Sequence, residues 1–401
     1  MTDTVEWSGC VKRIGGALDL RPHEWRFVTI LRAVCMRVFV LLCSIVLFAC
    51  LGMGCAGPFA VRGNSGREDP FLVYADIPGF VVIQGEKSRA LVRLDQDASV
   101  ICSRHEDGFP LIMEHPSGAQ HWYADRHADR LLIGLADSSG VPSGDWRITQ
   151  QDLDGVATRR TVYLDGGNGA EVALTIEREI RMLGAHALGA FFSGELPAGL
   201  RVSGYESRTV FANPGPLPWP RGNAVPHIRT EGDILRRSDA VFILHVQAES
   251  GEMLARQVKG ASAAVASAFV GRGSDTDGFR IVLPVDFVLP RIALIDRTMG
   301  MLTLIAYTPP PVTISARDVN QHRVDPEIQL AGVDGSARWY RVVTAGVALP
   351  LATGGSVRHH RHTFHVQGEV ERLLRVGAAF CRLPLDDLVA ALALLERGQE
   401  P

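Results

Sequence analysis

Lysine is almost missing from this 401-residue chain: Lys12, Lys87 and Lys259 are the whole supply, and arginine carries the remaining positive charge. Schiff-base chemistry therefore has few candidates. Lys87 itself lies in Gly85-Glu86-Lys87-Ser88, the pattern of a solvated hairpin tip. The formal net charge is −3 and no basic footprint for a phosphate backbone is present, so nucleic acid is not an expected partner. Phosphate loop, dinucleotide fingerprint, nucleophile elbow and HExxH motif are all missing. Nucleotide-dependent chemistry and ordinary serine or zinc hydrolysis are thus unsupported, and no cofactor is expected. Cysteine pairs at zinc or redox spacing are also lacking. Beyond Cys55 only Cys102 and Cys381 remain, which allows one disulfide or two buried thiols.

Charge is lacking altogether from Val38 to Val61, and Arg21, Arg26, Arg32 and Arg37 precede that stretch. A basic region followed by an apolar one is the pattern of an export signal. Val38–Met53 has the length of a signal core, and the stretch extended to Val61 just spans a bilayer. Arginine before it keeps the N-terminus cytoplasmic either way. Gly54-Cys55-Ala56-Gly57 closes the stretch with small residues around a thiol, which makes Cys55 the candidate lipidation site of a lipoprotein. Cys50 is a second candidate, an uncleaved anchor or plain secretion is the alternative, and Met36 is an alternative start. The organisation expected is an N-terminal extension and signal over 1–55, a flexible tether over 56–69 and a folded domain over 70–401. The expected location is the cell envelope, with the membrane as a partner through the N-terminal segment or a lipid.

Hydrophobic content of 46% supports a sizeable core. From Phe71 onward short strand patterns recur. They are expected at Phe71–Tyr74, Phe80–Gln84, Ala90–Leu94, Val100–Ser103, Leu131–Leu135, Arg147–Gln150, Thr158–Leu164 and Val172–Leu183. Further strands are expected at Val241–Gln247, Phe279–Val288, Met301–Thr308, Tyr340–Leu349 and Val357–Val366. Helical patterns are scarce. Arg256–Phe269 is alanine-rich and reads as a helix or an ordered loop. Glu369–Phe380 and Leu385–Arg397 read as two closing helices. In the second, Leu385, Leu388, Val389, Leu392 and Leu395 form an apolar stripe, and Asp386 and Asp387 suit the first turn. Many strands with late helices predict an all-β body.

Histidine is where the chain is rich. Four of its thirteen histidines fall within His359–His365. Strand alternation puts His359, Arg361, Thr363 and His365 on one face and Arg358, His360, His362 and Phe364 on the other. The first face is a poor half of an apolar core and a candidate wall for hydroxyl-rich or anionic ligands. His359 and His365 lie roughly 20 Å apart by strand rise and cannot share a metal ion. His360 and His362 are about 6–7 Å apart, but no local carboxylate or cysteine joins them, so no metal site is assigned.

Residues His359 to Gly368, followed by Pro384-Leu385-Asp386-Asp387-Leu388, resemble the end of an uncharacterised bacterial family with a galactose mutarotase-like (aldose 1-epimerase-like) fold. That family reads roughly H-x-H-R-T-F-H-F-Q-G and then S-L-D-E-I; here Arg361 stands at its second histidine and His362 at its arginine. Asp129–Gly134, Arg178–Leu183, Asn213–Trp219, Val241–Val246, Leu283-Pro284 and Leu302–Leu304 add weaker echoes. The resemblance implies a β-supersandwich whose concave face accommodates sugars. Three features depart from it. Leu135–Gly140 lacks the family's L-G-P-E-G-G, Val343 stands where many members have glutamate, and the midchain histidine motif of mutarotases is not recognisable. His227, in a proline-flanked loop, fits that motif poorly.

Mutarotation needs a base for the anomeric proton and an acid for the ring oxygen. His359, His365 and Asp129 are the candidates for those roles, although no carboxylate neighbours the histidines in sequence. Candidate ligand-binding residues are His359, Arg361, His365, Asp129, Arg130 and Trp146. Asp129-Arg130 is read as a polar anchor or a structural ion pair. Trp146 and His121-Trp122-Tyr123 are read as sugar-stacking faces or core. Asp286, in an apolar run, is a further carboxylate candidate. The reading reached is an exported, membrane-tethered protein that binds a carbohydrate or sugar-derived ligand. An aldose-epimerase-like enzyme and a non-catalytic envelope structural protein are the alternatives.

Overall fold

A computed structural model describes residues 78–94, 98–106, 129–135, 146–165, 171–191, 196–218, 226–236, 239–247, 250–258, 260–273, 279–283, 288–308, 327–333, 337–345 and 351–398. Residues 1–69, where the signal, Cys55 and the tether are expected, together with Phe71–Tyr74, His121-Trp122-Tyr123, Ala136 and Asp286, lie outside the described residues. In chain order the strands are β1 (Phe80–Gln84), β2 (Ser88–Arg93), β3 (Ser99–His105), β4 (Arg130–Leu135), β5 (Arg147–Gln151), β6 (Gly155–Asp165), β7 (Glu171–Leu183), β8 (Arg201–Ala212) and β9 (Pro226–Arg236). They continue as β10 (Val241–Val246), β11 (Gly260–Val265), β12 (Ala268–Gly273), β13 (Phe279–Val282), β14 (Val288–Asp296), β15 (Met301–Tyr307), β16 (Glu327–Val333), β17 (Ala337–Ala345) and β18 (Ser356–Gln367). The described helices are α1 (Ala185–Gly189), α2 (Gly251–Ala255), α3 (Val370–Phe380) and α4 (Leu385–Arg397).

These strands form three antiparallel sheets. The largest has ten strands in the order β11-β12-β10-β14-β15-β18-β8-β7-β6-β5. A five-stranded sheet runs β13-β16-β17-β9-β4, and β1-β2-β3 form a third. The chain is therefore an all-β supersandwich closed by two C-terminal helices, the class expected. The ten-stranded sheet is its shared wall. On one face, Leu302, Leu304, Phe364 and Val366 pack against Leu373, Phe380, Leu388 and Leu392 of α3 and α4. On the other face two apolar clusters form. Ile176, Ile180, Tyr205 and Phe211 meet Ile83, Val92 and Val100 of the small sheet. Phe242, Leu294 and Ile305 meet Ile328, Tyr340 and Val342 of the five-stranded sheet.

Sequence periodicity accounts for most of this and fails in instructive places. The alanine-rich segment is not helical. It forms the hairpin β11–β12, turning through Ala266 at φ 49. Ala261, Ala263 and Val265 alternate onto the apolar layer beneath α4, so small side chains serve close sheet–helix packing and outweigh helix propensity. The single strand expected over Phe279–Val288 is two strands in different sheets, β13 and β14, separated after Leu283. Strands β8, β9 and β16 were not anticipated, and His227 lies in β9 rather than in a loop. Helix α4 begins and ends as expected, but Val389 is exposed, and Leu388, Ala391, Leu392 and Leu395 make the buried stripe.

Candidate functional site

Strand β18 is the sixth of ten in the large sheet, so both its edges are paired, with β15 and β8. Its pairing with β8 sets His359 opposite Thr209, Arg361 opposite Ser207, Thr363 opposite Tyr205 and His365 opposite Ser203. Strand β7 then sets Arg178 opposite Thr209, and β6 sets Thr158 opposite Arg178. A polar row, Thr158–Arg178–Thr209–His359, thus crosses four strands. The face of β18 expected to line an open hollow is sealed: His359 is 1% exposed, Arg361 0%, Thr363 1% and His365 9%. Residues of the opposing sheet cover it, because Thr344 of β17 and Thr230 of β9 turn inward to meet it. The result is a polar seam between the two apolar clusters.

Asp129 enters the seam from the junction of β3 and β4. Its backbone is bridged to Val100 in both directions, at 3.0 and 3.1 Å. Its carboxylate meets Arg178 Nη2 at 3.0 Å, with both side chains fully buried, and the same Nη2 donates to the Asp129 carbonyl at 3.3 Å. Arg361 Nη1 donates to the Thr230 carbonyl at 3.1 Å. Its Nε and Nη2, the two parallel donors of one guanidinium edge, meet no acceptor among the described residues. Arg178 Nε and Nη1, Ser203 Oγ and Thr230 Oγ1 are likewise without partners there. Native interiors pair nearly all such atoms, and each one left unpaired costs about 1–3 kcal/mol.

The protonation of His359 follows from its neighbours. Thr344 has one hydroxyl proton, and Thr344 Oγ1 donates to the Thr230 carbonyl at 3.3 Å. The same Oγ1 lies 3.2 Å from His359 Nε2. His359 Nδ1 has no hydrogen-bond partner among the described residues. Burial first, and then the Arg361 charge, lower the pKa of His359 to about 3. His365, bonded through Nδ1 to Thr303 Oγ1 at 3.1 Å, is lowered to about 4 by the same two causes. Burial raises the pKa of the Tyr205 phenol, so it stays neutral in the seam. At neutral pH both histidines are uncharged, and burial beside Arg361 makes His359 a weak base.

Asp129 and Arg130 do not act together. Successive strand residues point to opposite faces, and Arg130 reaches outward to Glu231 at 3.9 Å. There it joins a second polar group. Arg341 clamps Asp233 through Nε at 2.8 Å and Nη2 at 3.1 Å, and lies 3.8 Å from Glu231. Burial raises the pKa of Glu231. Val343 is buried on β17, paired in register with Glu231. Trp146 belongs to the apolar cluster beneath the small sheet. On the far face of β18, His362 Nε2 lies 3.4 Å from Glu206, and the His362 ring meets Phe191 edge-on. No group of three metal-ligating side chains occurs among the described residues.

The structure thus brings His359, Arg361 and Asp129 into one electrostatic neighbourhood, leaves His365 further along the same face, and sends Arg130 and Trp146 elsewhere. Arg178, Thr230 and Thr344 were not singled out from sequence as site residues. Arg178 had a legible signal: Leu174, Ile176, Ile180 and Met182 alternate around it on the buried face of β7, so it is a charge in the middle of an apolar stripe.

Among solved structures, the chain is similar to a galactose mutarotase related enzyme from Lactobacillus acidophilus, at 7% identity, covering 71% of this chain and 97% of that one with a TM-score of 0.43. A galactose mutarotase-like protein from Lactobacillus casei is similar at 8% identity, with 72% and 99% coverage and a TM-score of 0.41. A protein from Synechocystis sp. is similar at 10% identity, with 73% and 97% coverage and a TM-score of 0.44. No protein-family model and no curated protein matches the sequence.

Proposed function

We propose that this protein binds a carbohydrate or sugar-derived ligand in the polar seam between the ten-stranded and five-stranded sheets. The observation that carries the reading is the surplus of unpaired buried polar groups converging there. Guanidinium donors on Arg361 and Arg178 stand beside a hydroxyl on Thr230 and an unpaired ring nitrogen on His359, and a ring of hydroxyl groups answers them all. Water answers them too, but a fixed set of donors and acceptors in a dry interior discriminates among ligands. Because the seam is sealed, entry requires the covering segment to part, and association is expected to be slow. Asp129 is committed to Arg178 and His359 is neutral, an arrangement suited to binding rather than to paired acid–base turnover.

Export and membrane tethering belong to the same proposal and rest on the sequence of residues 1–69. Two experiments test it. Glycan-array screening of the purified protein is expected to return binders among neutral or acidic sugars, and silence across both classes ends the reading. Metabolic lipid labelling is expected to disappear in Cys55→Ser; labelling that persists removes Cys55 as the lipidated residue.

A further inference from the structure

Resting on that reading of the seam, we infer that the ligand is a sugar acid whose carboxylate is held by the Nε–Nη2 edge of Arg361. The protein contains its own reference for this contact. At Arg341 the same guanidinium edge is filled by the carboxylate of Asp233, two parallel bonds of 2.8 and 3.1 Å. At Arg361 the edge is aimed into the interior and meets no acceptor among the described residues, while Nη1 is already fixed on the Thr230 carbonyl. A planar carboxylate matches this fork in geometry and in charge.

Charge balance points the same way. Outside the five-stranded sheet, Glu231 and Asp233 face Arg130 and Arg341, two against two. Inside, among the described groups whose fields reach both His359 and Tyr205, Asp129 faces Arg178 and Arg361, one against two. His359, His365 and Tyr205 are neutral and supply no countercharge. Within that set of described groups one positive charge is in excess, and the field of Arg361 also reaches Glu231. A monoanion balances that excess, whereas a phosphomonoester, near −2 at neutral pH, overshoots and meets Asp129. His359 Nδ1, two residues along the same face and without a partner among the described residues, can pair with a hydroxyl of the same molecule.

Titration calorimetry of the full-length protein tests this with glucuronate, galacturonate, glucose, galactose, glucose 6-phosphate and acetate. The uronates are expected to bind tighter than the parent aldoses by on the order of tenfold to a hundredfold, and tighter than the phosphate ester or acetate. Arg361→Gln is expected to bring uronates down to the level of the aldoses. Arg361→Lys, which keeps the charge but loses the fork, is expected to retain part of the preference. Equal binding of uronates and aldoses, a preference for glucose 6-phosphate, or a preference that survives Arg361→Gln overturns the inference. Aldose binding without uronate preference does so while leaving the sugar-binding reading intact, and no binding by any sugar removes both. Should Arg361→Gln not fold, the wild-type ratios still decide, and Arg341→Gln must leave them unchanged.

Discussion

Acid should weaken this fold through two histidines it holds neutral. His359 and His365 have an ordinary pKa of 6.5 and folded values of about 3 and about 4. Both are depressed, so the unfolded chain binds more protons than the folded one between those limits, and stability is lost as pH falls from 6.5. Each site costs up to about 1.4 kcal/mol per pH unit. Between pH 7 and pH 4.5 that amounts to about 2–3 kcal/mol per histidine and about 5 kcal/mol for both, a large part of a typical domain's stability. The groups facing His359 are Arg361, Asp129, Arg178 and His360, and Arg361 faces His365, so no described carboxylate offsets the burial of His365. Denaturant unfolding at half-unit pH steps measures the slope. His359→Gln removes one titrating site, and the slope from pH 6 to pH 4.5 is expected to fall by about 1.4 kcal/mol per pH unit. Equal slopes in the two proteins, or a His359 imidazole resonance that titrates near 6.5 in the folded state, refute the reasoning.

Three other outcomes follow from the packing. Arg178→Met leaves Asp129 buried and unpaired and should destabilise by about 3–5 kcal/mol, whereas adding Asp129→Leu should recover much of that loss, both read by denaturant midpoint. A Cβ at Gly204 collides with the ring of Phe364 directly across the ladder, so Gly204→Ala should lower stability by about 1–3 kcal/mol in the same assay. The Cys381 thiol is buried, and its pKa is pushed up to about 12 by burial, so it should resist thiol reagents in the native protein and react only on unfolding.

The sequence was most legible where alternation was cleanest. Val357–Val366 was readable as a strand, and the inward set His359, Arg361, Thr363 and His365 was assigned to the correct shared face. Alternation cannot say what lies across from a face, so the sealing of that face by the five-stranded sheet was not legible. Of the two strands that supply the cover, β9 escaped because its apolar positions are interrupted: it reads His227-Ile228-Arg229-Thr230-Glu231-Gly232-Asp233, with polar residues on both faces. The same interruption hid Thr230, whose carbonyl positions Arg361. Arg178 carried a signal in the apolar residues alternating around it, but the flanking Glu177 and Glu179 give the same stretch the look of a solvated strand until its register with Thr158 and Thr209 is known.

The ten-stranded sheet divides the side chains of β18 between two unlike compartments, with Phe364 sunk among the helices and Thr363 and His365 among hydroxyls on the reverse. Insertion or deletion of a single residue within this strand would exchange the two sets, driving an aromatic ring into the charged layer and a guanidinium into the oily one. Length between Ser356 and Gln367 is therefore a stricter constraint on this protein's divergence than the identity of most residues that fill it.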